Sequence, residues 1–240
     1  MAEFYWGPPG ITTPRTATHR ALFLQRSETF LAQGKTISGQ CSRDPGNSPD
    51  IGVLRAGLIM GRITTVVNSL GTVGYMAPSI IGVTTNAEAV GTTAIEASAA
   101  VVTELVRRFG ASGTFKLTGP PTANGVVATE TVTYSAASGT SITVTATANA
   151  FVAGSFIQPT DGSETPLSFI PDWDYGIRVT DPDGTSYSAV DFPKFPVSGI
   201  VDSSQLLPVF PSDTSLRAWL TARFNDSFGG QFVFDHGYGN

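Results

Sequence analysis

The sequence predicts a mainly β protein, a β-rich α+β fold in which a small β-barrel-like or β-sandwich-like body carries one late helix. Three observations predict this fold class. Charged residues make up only 14% of the 240 residues, against roughly 25% in typical soluble domains. Serine and threonine together supply roughly a fifth of the chain. Apolar residues also alternate with threonine over long stretches, with the period of two that marks a half-buried strand.

The composition argues against several other classes. The net charge of −5 repels phosphate, so we expect no nucleic-acid partner. The hydrophobic content of 41% is enough for a core and argues against full disorder. Residues 63–87 and 131–160 carry no charge, but their many Thr, Ser, Gly and Asn residues do not suit a membrane span. We expect neither a membrane partner nor a secretory signal, because the N-terminus lacks a basic region followed by an apolar run.

Residues 1–52 predict an extended N-terminal arm. Proline and glycine clusters at 7–10 and 45–49 prevent long regular elements. Disordered tails are usually poor in aromatic residues, whereas this segment contains several: Phe4, Tyr5, Trp6, Phe23 and Phe30. We therefore expect the arm to become ordered by lying on its own body, on a sister subunit or on another protein.

The predicted body begins at residue 53. Residues 53–65 are apolar and indicate the first strand region, in which Gly57 and Gly61 suggest a bulge or a close backbone approach. Residues 71–83 indicate two short strands around Pro78. Residues 99–108 fit either a helical face or strand alternation, and we favour a strand because the neighbouring segments are strands.

The clearest pattern lies in residues 126–148 and predicts an antiparallel hairpin. Apolar residues and threonines occupy alternate positions along the chain, both before and after a turn at residues 136–139. Threonine on one face and apolar residues on the other predict a solvated, hydroxyl-rich face over a buried one. The apolar side comprises Val126, Ala128, Val132, Tyr134, Ile142, Val144, Ala146 and Ala148, with Glu130 in the same row.

Three further elements follow. Residues 175–180 and 185–192 flank Asp181-Pro182-Asp183-Gly184 and predict a second hairpin. A helix capped by Ser212 or Asp213 is predicted to run to Phe224. Residues 231–234 predict a last short strand.

The sequence offers no convincing catalytic or metal-binding pattern, so we expect no enzyme and no cofactor. The single cysteine, Cys41, cannot form an intrachain disulfide. The two histidines, His19 and His236, are far apart in sequence and from Cys41, which argues against a zinc site. The Arg107-Arg108 doublet is too little for nucleic-acid binding.

Paired carboxylates are the residue type that acid/base catalysis on a glycoside would need, and they also bind calcium. Asp172 and Asp174 form one such pair, and Asp181 and Asp183 form another. The sequence lacks the remaining calcium ligands, so we interpret residues 181–184 as a plain β-turn. Residues 161–164, Asp-Gly-Ser-Glu, are likewise interpreted as a turn.

One segment resembles a known family. The residues are Leu54-Arg55-Ala56-Gly57 with Gly61, then Gly74-Tyr75-Met76-Ala77-Pro78, then Ile80-Ile81-Gly82-Val83. This order resembles the head decoration (capsid cement) proteins of tailed bacteriophages, of the lambda protein D type. The direct match covers about 30 residues. Residues 65–73 lengthen the first connection, and residues 113–170 look like an insertion that small family members lack.

The resemblance implies a structural virion protein and three domains. It implies a homotrimer that binds the major capsid protein outside the shell, at three-fold and quasi-three-fold positions, and stabilises the head after expansion. It also implies synthesis in the cytoplasm of the bacterial host. The arm is residues 1–52, the decoration-protein-like body is 53–112 and 171–240, and the inserted antiparallel β domain is 113–170. Phe4, Tyr5, Trp6, Phe23 and Phe30 are then the expected capsid-binding residues.

A second hypothesis stays open at this point. Trp173 and Tyr175 lie beside Asp172 and Asp174, and an aromatic ring next to carboxylates can hold a sugar. With the threonine-faced hairpin, this favours a glycan-binding or adhesin-like module of a phage tail or fibre.

Overall fold

The computed structural model describes residues 29–30, 35–47, 49–119, 127–171, 176–179, 189–192, 195–202, 205–207 and 231–235. The prediction of a mainly β fold is confirmed, since strands make up 44% of the structure and one sheet is curled into a half-barrel. In chain order the strands are β1 (Thr29–Phe30), β2 (Lys35–Ile37), β3 (Val53–Leu54), β4 (Ile59–Arg62), β5 (Met76–Pro78), β6 (Gly82–Val83), β7 (Ala94–Glu96), β8 (Gly113–Thr118), β9 (Thr129–Ser138), β10 (Ser141–Val144), β11 (Phe156–Gln158), β12 (Pro166–Phe169), β13 (Ile177–Arg178), β14 (Val190–Phe192), β15 (Pro196–Asp202) and β16 (Gln231–Asp235), with helix α1 (Ala99–Phe109) between β7 and β8.

The largest sheet has six strands in the order β6-β11-β8-β9-β10-β7, and every neighbouring pair is antiparallel. A five-stranded sheet has the order β12-β4-β5-β2-β14, in which only β2 and β5 are parallel. A third sheet has the order β1-β15-β16, and β13 pairs with β3 alone. The five-stranded sheet mixes early and late segments of the chain, so its core is built from long-range contacts.

The prediction of a strand at residues 99–108 was wrong, because this segment is helix α1. The Ser98 hydroxyl accepts a hydrogen bond from the Val101 amide and caps the first turn. Val102, Leu105 and Phe109 then bury one helical face against β9 and β10. The alternation of apolar residues in this segment fits the helical face as well, which is why the sequence pattern was ambiguous.

The threonine-faced hairpin is confirmed as β9 and β10. Val132, Tyr134, Ile142 and Val144 are buried, and the intervening Thr131, like the other hairpin threonines at 129, 133, 143 and 145, is exposed. The turn lies at residues 138–141, two residues later than predicted.

The predicted alternation fails after Val144, where β10 ends. Thr147 is buried, and its hydroxyl donates to the Ala89 carbonyl at 3.0 Å. Ala146 and Ala148 are exposed instead. The chain here leaves the sheet and forms a loop against residues 88–92, so its side chains no longer follow the strand period.

The predicted first strand region is divided into β3 and β4 by a turn at Gly57, where φ is +88°. Gly61 lies in β4, and a Cβ there would collide with the carbonyl oxygens of Ser163 and Thr165. The expected close backbone approach is therefore confirmed at Gly61. The two short strands predicted around Pro78 are confirmed as β5 and β6.

The structure describes only part of the elements predicted after residue 171. The final strand is confirmed as β16, whose Phe232 ring packs 5.5 Å from that of Phe169. In the predicted second hairpin, β13 pairs with β3 and β14 pairs with β2, so these described parts do not pair with each other. The turn at 181–184 and the helix predicted up to Phe224 lie outside the described residues.

The described part of the N-terminal segment lies on the body of its own chain. Strand β2 occupies an inner position between β5 and β14, and Ile37 is fully buried in that sheet. Strands β11 and β12 fall within residues 113–170, yet they pair with β6 and β4. Residues 113–170 thus share both large sheets with the segment before them.

Candidate functional site

The family-like residues lie in the framework of the body. Leu54 and Ala56 are buried, and Pro78 ends β5 opposite Met60 of β4. Arg55 is half-buried and forms a bidentate ion pair with Asp44, with N–O distances of 2.6 and 3.0 Å. Tyr75 packs on a small cluster of Cys41, Ile63 and Ala77. These side chains, together with Gly57 and Gly61, shape the backbone and core rather than an open surface.

The expected capsid-binding residues Phe4, Tyr5, Trp6 and Phe23 lie outside the described residues. Phe30 is in β1, whose backbone pairs with Pro196 of β15. The two histidines His19 and His236, the carboxylates at 172, 174, 181 and 183, and the aromatics Trp173 and Tyr175 also lie outside the described part.

The strongest buried polar cluster centres on Arg108, near the C-terminal end of α1. Its guanidinium donates to Asp161 Oδ2 and to Ser163 Oγ, both at 2.8 Å, and to the Pro78 carbonyl at 3.3 Å. Ser163 Oγ in turn donates to Asp161 Oδ1 at 2.7 Å. The cluster joins α1, β5 and the turn at residues 161–164, and among the described residues the buried Arg108 Nε has no hydrogen-bond partner. We interpret it as a structural network, which agrees with the turn predicted at 161–164.

The two residues of the basic doublet make different contacts within the chain. Arg108 is buried in the cluster described above, and Arg107 forms an ion pair with Glu104 at 2.6 Å within the same helix. Arg107 also donates to the Gln40 carbonyl at 2.6 Å. Both guanidinium groups therefore serve contacts within the chain.

Cys41 lies beside this network and is 1% exposed. Burial raises the pKa of the Cys41 thiol, and the positive charge of Arg108 only partly offsets that effect. A buried thiol with a raised pKa is a poor nucleophile at neutral pH. Among the described residues, no group of three or more His, Cys, Asp or Glu side chains is placed to hold a metal ion.

A different surface stands out for its lack of charge. We define the loop cluster as residues 85–93 and 145–154, two loops that lie side by side at one end of the six-stranded sheet. Glu88 and Phe151 exchange backbone hydrogen bonds of 2.6 and 2.8 Å, and Gly91 donates to the Thr147 carbonyl at 2.8 Å. The loops are thus held by backbone pairing rather than by side-chain contacts alone.

The exposed side chains of the loop cluster are mostly aliphatic. The aliphatic ones are Ala87, Ala89, Val90, Ala146, Ala148, Ala150, Val152 and Ala153, and the polar ones are Thr85, Asn86, Thr93, Thr145 and Asn149. Val90 is 66% exposed and Val152 is 43% exposed. The only charged side chain in the two loops is Glu88, which is buried.

Glu130 fixes one half of the loop cluster from outside it. Its carboxylate accepts from the Ala148 amide at 2.8 Å and from the Asn149 amide at 3.0 Å. The Asn149 side chain donates to the same carboxylate at 3.1 Å. The Glu130 carboxylate is therefore turned toward backbone N–H groups. No sequence motif singles out this surface, although residues 145–154 fall within the charge-free stretch at 131–160.

No described helix is both long and apolar enough to cross a membrane. Comparison of the chain with protein-family models, with curated proteins and with solved structures finds no significant match. The resemblance to phage head decoration proteins therefore stays a prediction.

Proposed function

We propose that this chain is a structural virion protein that binds the outside of a tailed-bacteriophage capsid. It acts as homotrimers at three-fold and quasi-three-fold positions and holds neighbouring capsomers together after expansion of the shell. The observation that carries the proposal is the similarity of residues 54–83 to head decoration proteins, over the order Arg-Ala-Gly, Gly-Tyr-x-x-Pro and Ile-Gly.

Two features of the described residues support the proposal. The similar residues follow one another along a continuous framework, and Leu54, Met60 and Met76 share one core cluster. A match on framework residues is what a shared fold would require. In addition, β1 is added antiparallel to β15 at the edge of its sheet. Strand addition of this kind is the means by which an extended arm can bind a neighbouring protein through backbone hydrogen bonds.

The arm supplies the proposed anchors for the capsid. Aromatic residues dominate the binding energy of many interfaces, and the first 30 residues contain Phe4, Tyr5, Trp6, Phe23 and Phe30. Each shell offers many equivalent sites, so modest contacts at each site stabilise the bound state in sum.

Co-sedimentation of the full chain with expanded and unexpanded shells of the source phage tests the proposal. We expect binding to expanded shells only, with density in threes by electron microscopy. Trp6→Ala should weaken binding about tenfold or more, as for an aromatic anchor. Trp173→Ala is the matched control and should bind as the unsubstituted chain does. Absence of the protein from both kinds of shell would overturn the proposal, and glycan binding that is lost in Trp173→Ala would favour the adhesin hypothesis.

A further inference from the structure

We propose that Glu88 is a pH-dependent latch on the loop cluster. Its neutral carboxyl keeps residues 85–93 paired with residues 145–154, and its ionisation opens that pairing locally while the sheet below stays folded. The inference goes beyond the proposed function and does not depend on the capsid.

The backbone of Glu88 joins the two loops. Its amide donates to the Phe151 carbonyl at 2.6 Å, and its carbonyl accepts from the Phe151 amide at 2.8 Å. The two residues thus form an isolated antiparallel bridge, and Phe151 belongs to the core cluster that also contains Leu105 of α1. A movement that carries the Glu88 side chain outward acts directly on this bridge, because side chain and bridge belong to one residue.

The surroundings of the Glu88 carboxyl suit its neutral form. The residue is 7% exposed, and the hydrogen bond that its Oε1 accepts from the Glu96 amide is long, at 3.4 Å. None of the ion pairs within the described part of the chain includes Glu88. A buried carboxylate that lacks a cation and has one weak donor is costly. Ionisation therefore favours a conformation in which water reaches the carboxylate.

The charged groups around Glu88 add to this cost. The segments that pack against it, which are β7, β10 and residues 145–154, contribute one titratable side chain, Glu96. Glu130 of β9 binds the 145–154 loop through the Ala148 amide. Both groups are acidic, so neither compensates a negative charge on Glu88. Burial and, secondarily, the Glu96 charge raise the pKa of the Glu88 carboxyl, against the opposing effect of the Glu96 amide.

The opening stays local because different hydrogen bonds hold the loops and the sheet. The loops are joined at Glu88 and, further along, by the Gly91 amide that donates to the Thr147 carbonyl at 2.8 Å. Strand β7 pairs separately with β10, over residues 94–96 and 141–143. Loops held by a few such bonds open at a lower free energy than the core strands of a sheet do.

Hydrogen exchange of the full chain, followed by NMR from pH 4.5 upward, tests the inference. The readouts are the Glu88 and Phe151 amides, with each rate divided by the intrinsic rate at the same pH so that only opening is compared. We expect their protection to fall by about tenfold for each pH unit between the ordinary pKa of 4.5 and the raised pKa of Glu88, and then to level off. The Ala97 amide, which donates to the Thr140 carbonyl of the sheet, should keep its protection at every pH.

Two variants separate the charge of Glu88 from other effects of pH. Glu88→Gln keeps the length of the side chain and an oxygen for the Glu96 amide, and it should make the protection at position 88 and at Phe151 independent of pH. Glu96→Gln is the matched control, because it removes the neighbouring charge but leaves Glu88 able to ionise. Its protection should still fall with rising pH, over a narrower range.

Circular dichroism verifies that both variants are folded, and the pH profile of the unsubstituted chain is informative without them. Protection of Glu88 and Phe151 that does not change with pH would overturn the inference, as would an equal fall in Glu88→Gln. A fall shared by Ala97 would overturn the local character of the opening. Because no shell is used, this test and the shell-binding assay can fail independently.

Discussion

Arg108 and Asp161 form an ion pair of 2.8 Å between helix α1 and the 161–164 turn, with 2% and 3% of their side-chain surfaces exposed. The two residues are 53 positions apart in sequence, so the pair connects two segments that are distant along the chain. Breaking a buried pair by removing one partner leaves a charge without compensation, and this is far costlier than losing an exposed pair.

Asp161→Asn should therefore lower the free energy of unfolding by about 3–5 kcal/mol. The substitution keeps the size of the side chain and removes the charge that compensates Arg108. Asp50→Asn is the matched control, because Asp50 pairs with Arg178 where the side chains are 50% and 40% exposed. An exposed pair contributes about 0–1 kcal/mol. Urea denaturation measures the free energy of unfolding of both variants. Equal losses would show that the buried pair contributes no more to stability than the exposed pair does.

Gly61→Ala should destabilise the fold more than an alanine substitution at a glycine with free space around it. The added Cβ would collide with the carbonyl oxygens of Ser163 and Thr165, which are backbone atoms that cannot rotate away. We expect a loss of several kcal/mol, about 3 or more, as for other substitutions that overpack a core.

Gly139→Ala separates this collision from the cost of an unusual backbone. Gly139 has φ of +61° in the β9–β10 turn, and nothing lies within 4 Å of its added Cβ. Its substitution should cost only about 1–2 kcal/mol, the penalty of the left-handed conformation. Chemical denaturation of both variants gives the comparison, and a smaller loss for Gly61→Ala would contradict the close approach.

The sequence predicted best where the pattern is local. The β9–β10 hairpin was predictable because threonine and apolar residues alternate on either side of a turn at Gly139. Helix α1 was not, because its residues satisfy both periods and only the Ser98 cap and the packing of Leu105 decide between them. The interaction of Arg108 with Asp161 was not predictable either, since no local pattern pairs residues so distant in sequence.

The loop cluster was not predictable from the sequence for the same reason. Its two halves are separated by more than 50 residues, and only the folded chain pairs Glu88 with Phe151 and Gly91 with Thr147. The lack of charge in residues 131–160 was visible beforehand. What the sequence does not contain is the information that residues 85–93 lie beside residues 145–154 and that Glu88 is buried between them.

Glu88 should make stability depend on pH. Burial raises the pKa of the Glu88 carboxyl above its ordinary value of 4.5, and the nearby Glu96 charge acts in the same direction, while the hydrogen bond from the Glu96 amide acts against it. The folded chain therefore holds this proton to a higher pH than the unfolded chain does. The contribution of Glu88 to stability is fully present below pH 4.5 and is lost as pH rises through the raised pKa.

Glu88→Gln removes this titration and keeps an oxygen that can accept from the Glu96 amide. The variant should gain stability relative to the unsubstituted chain as pH rises from 4.5, and the difference should be constant at lower pH, where the acid is neutral. Urea denaturation across that range measures the difference between the two proteins. A difference that shrinks with rising pH would contradict the direction of the pKa shift.

Glu130→Ala should loosen the 145–154 half of the loop cluster without unfolding the sheet. The carboxylate accepts hydrogen bonds from the Ala148 and Asn149 amides, and removal of one charged acceptor costs about 1–3 kcal/mol. Because 1.4 kcal/mol is about a factor of ten in an equilibrium constant, exchange of both amides with solvent should accelerate about tenfold or more. The Gly91 amide bonds to the Thr147 carbonyl and should keep its protection.

Thr131→Ala is the control, because Thr131 follows Glu130 in β9 and is exposed. Hydrogen exchange followed by NMR resolves these amides individually. Acceleration throughout β9 and β10 would instead mean that Glu130 supports the whole hairpin, whereas a change confined to Ala148 and Asn149 identifies it as the residue that fixes this loop.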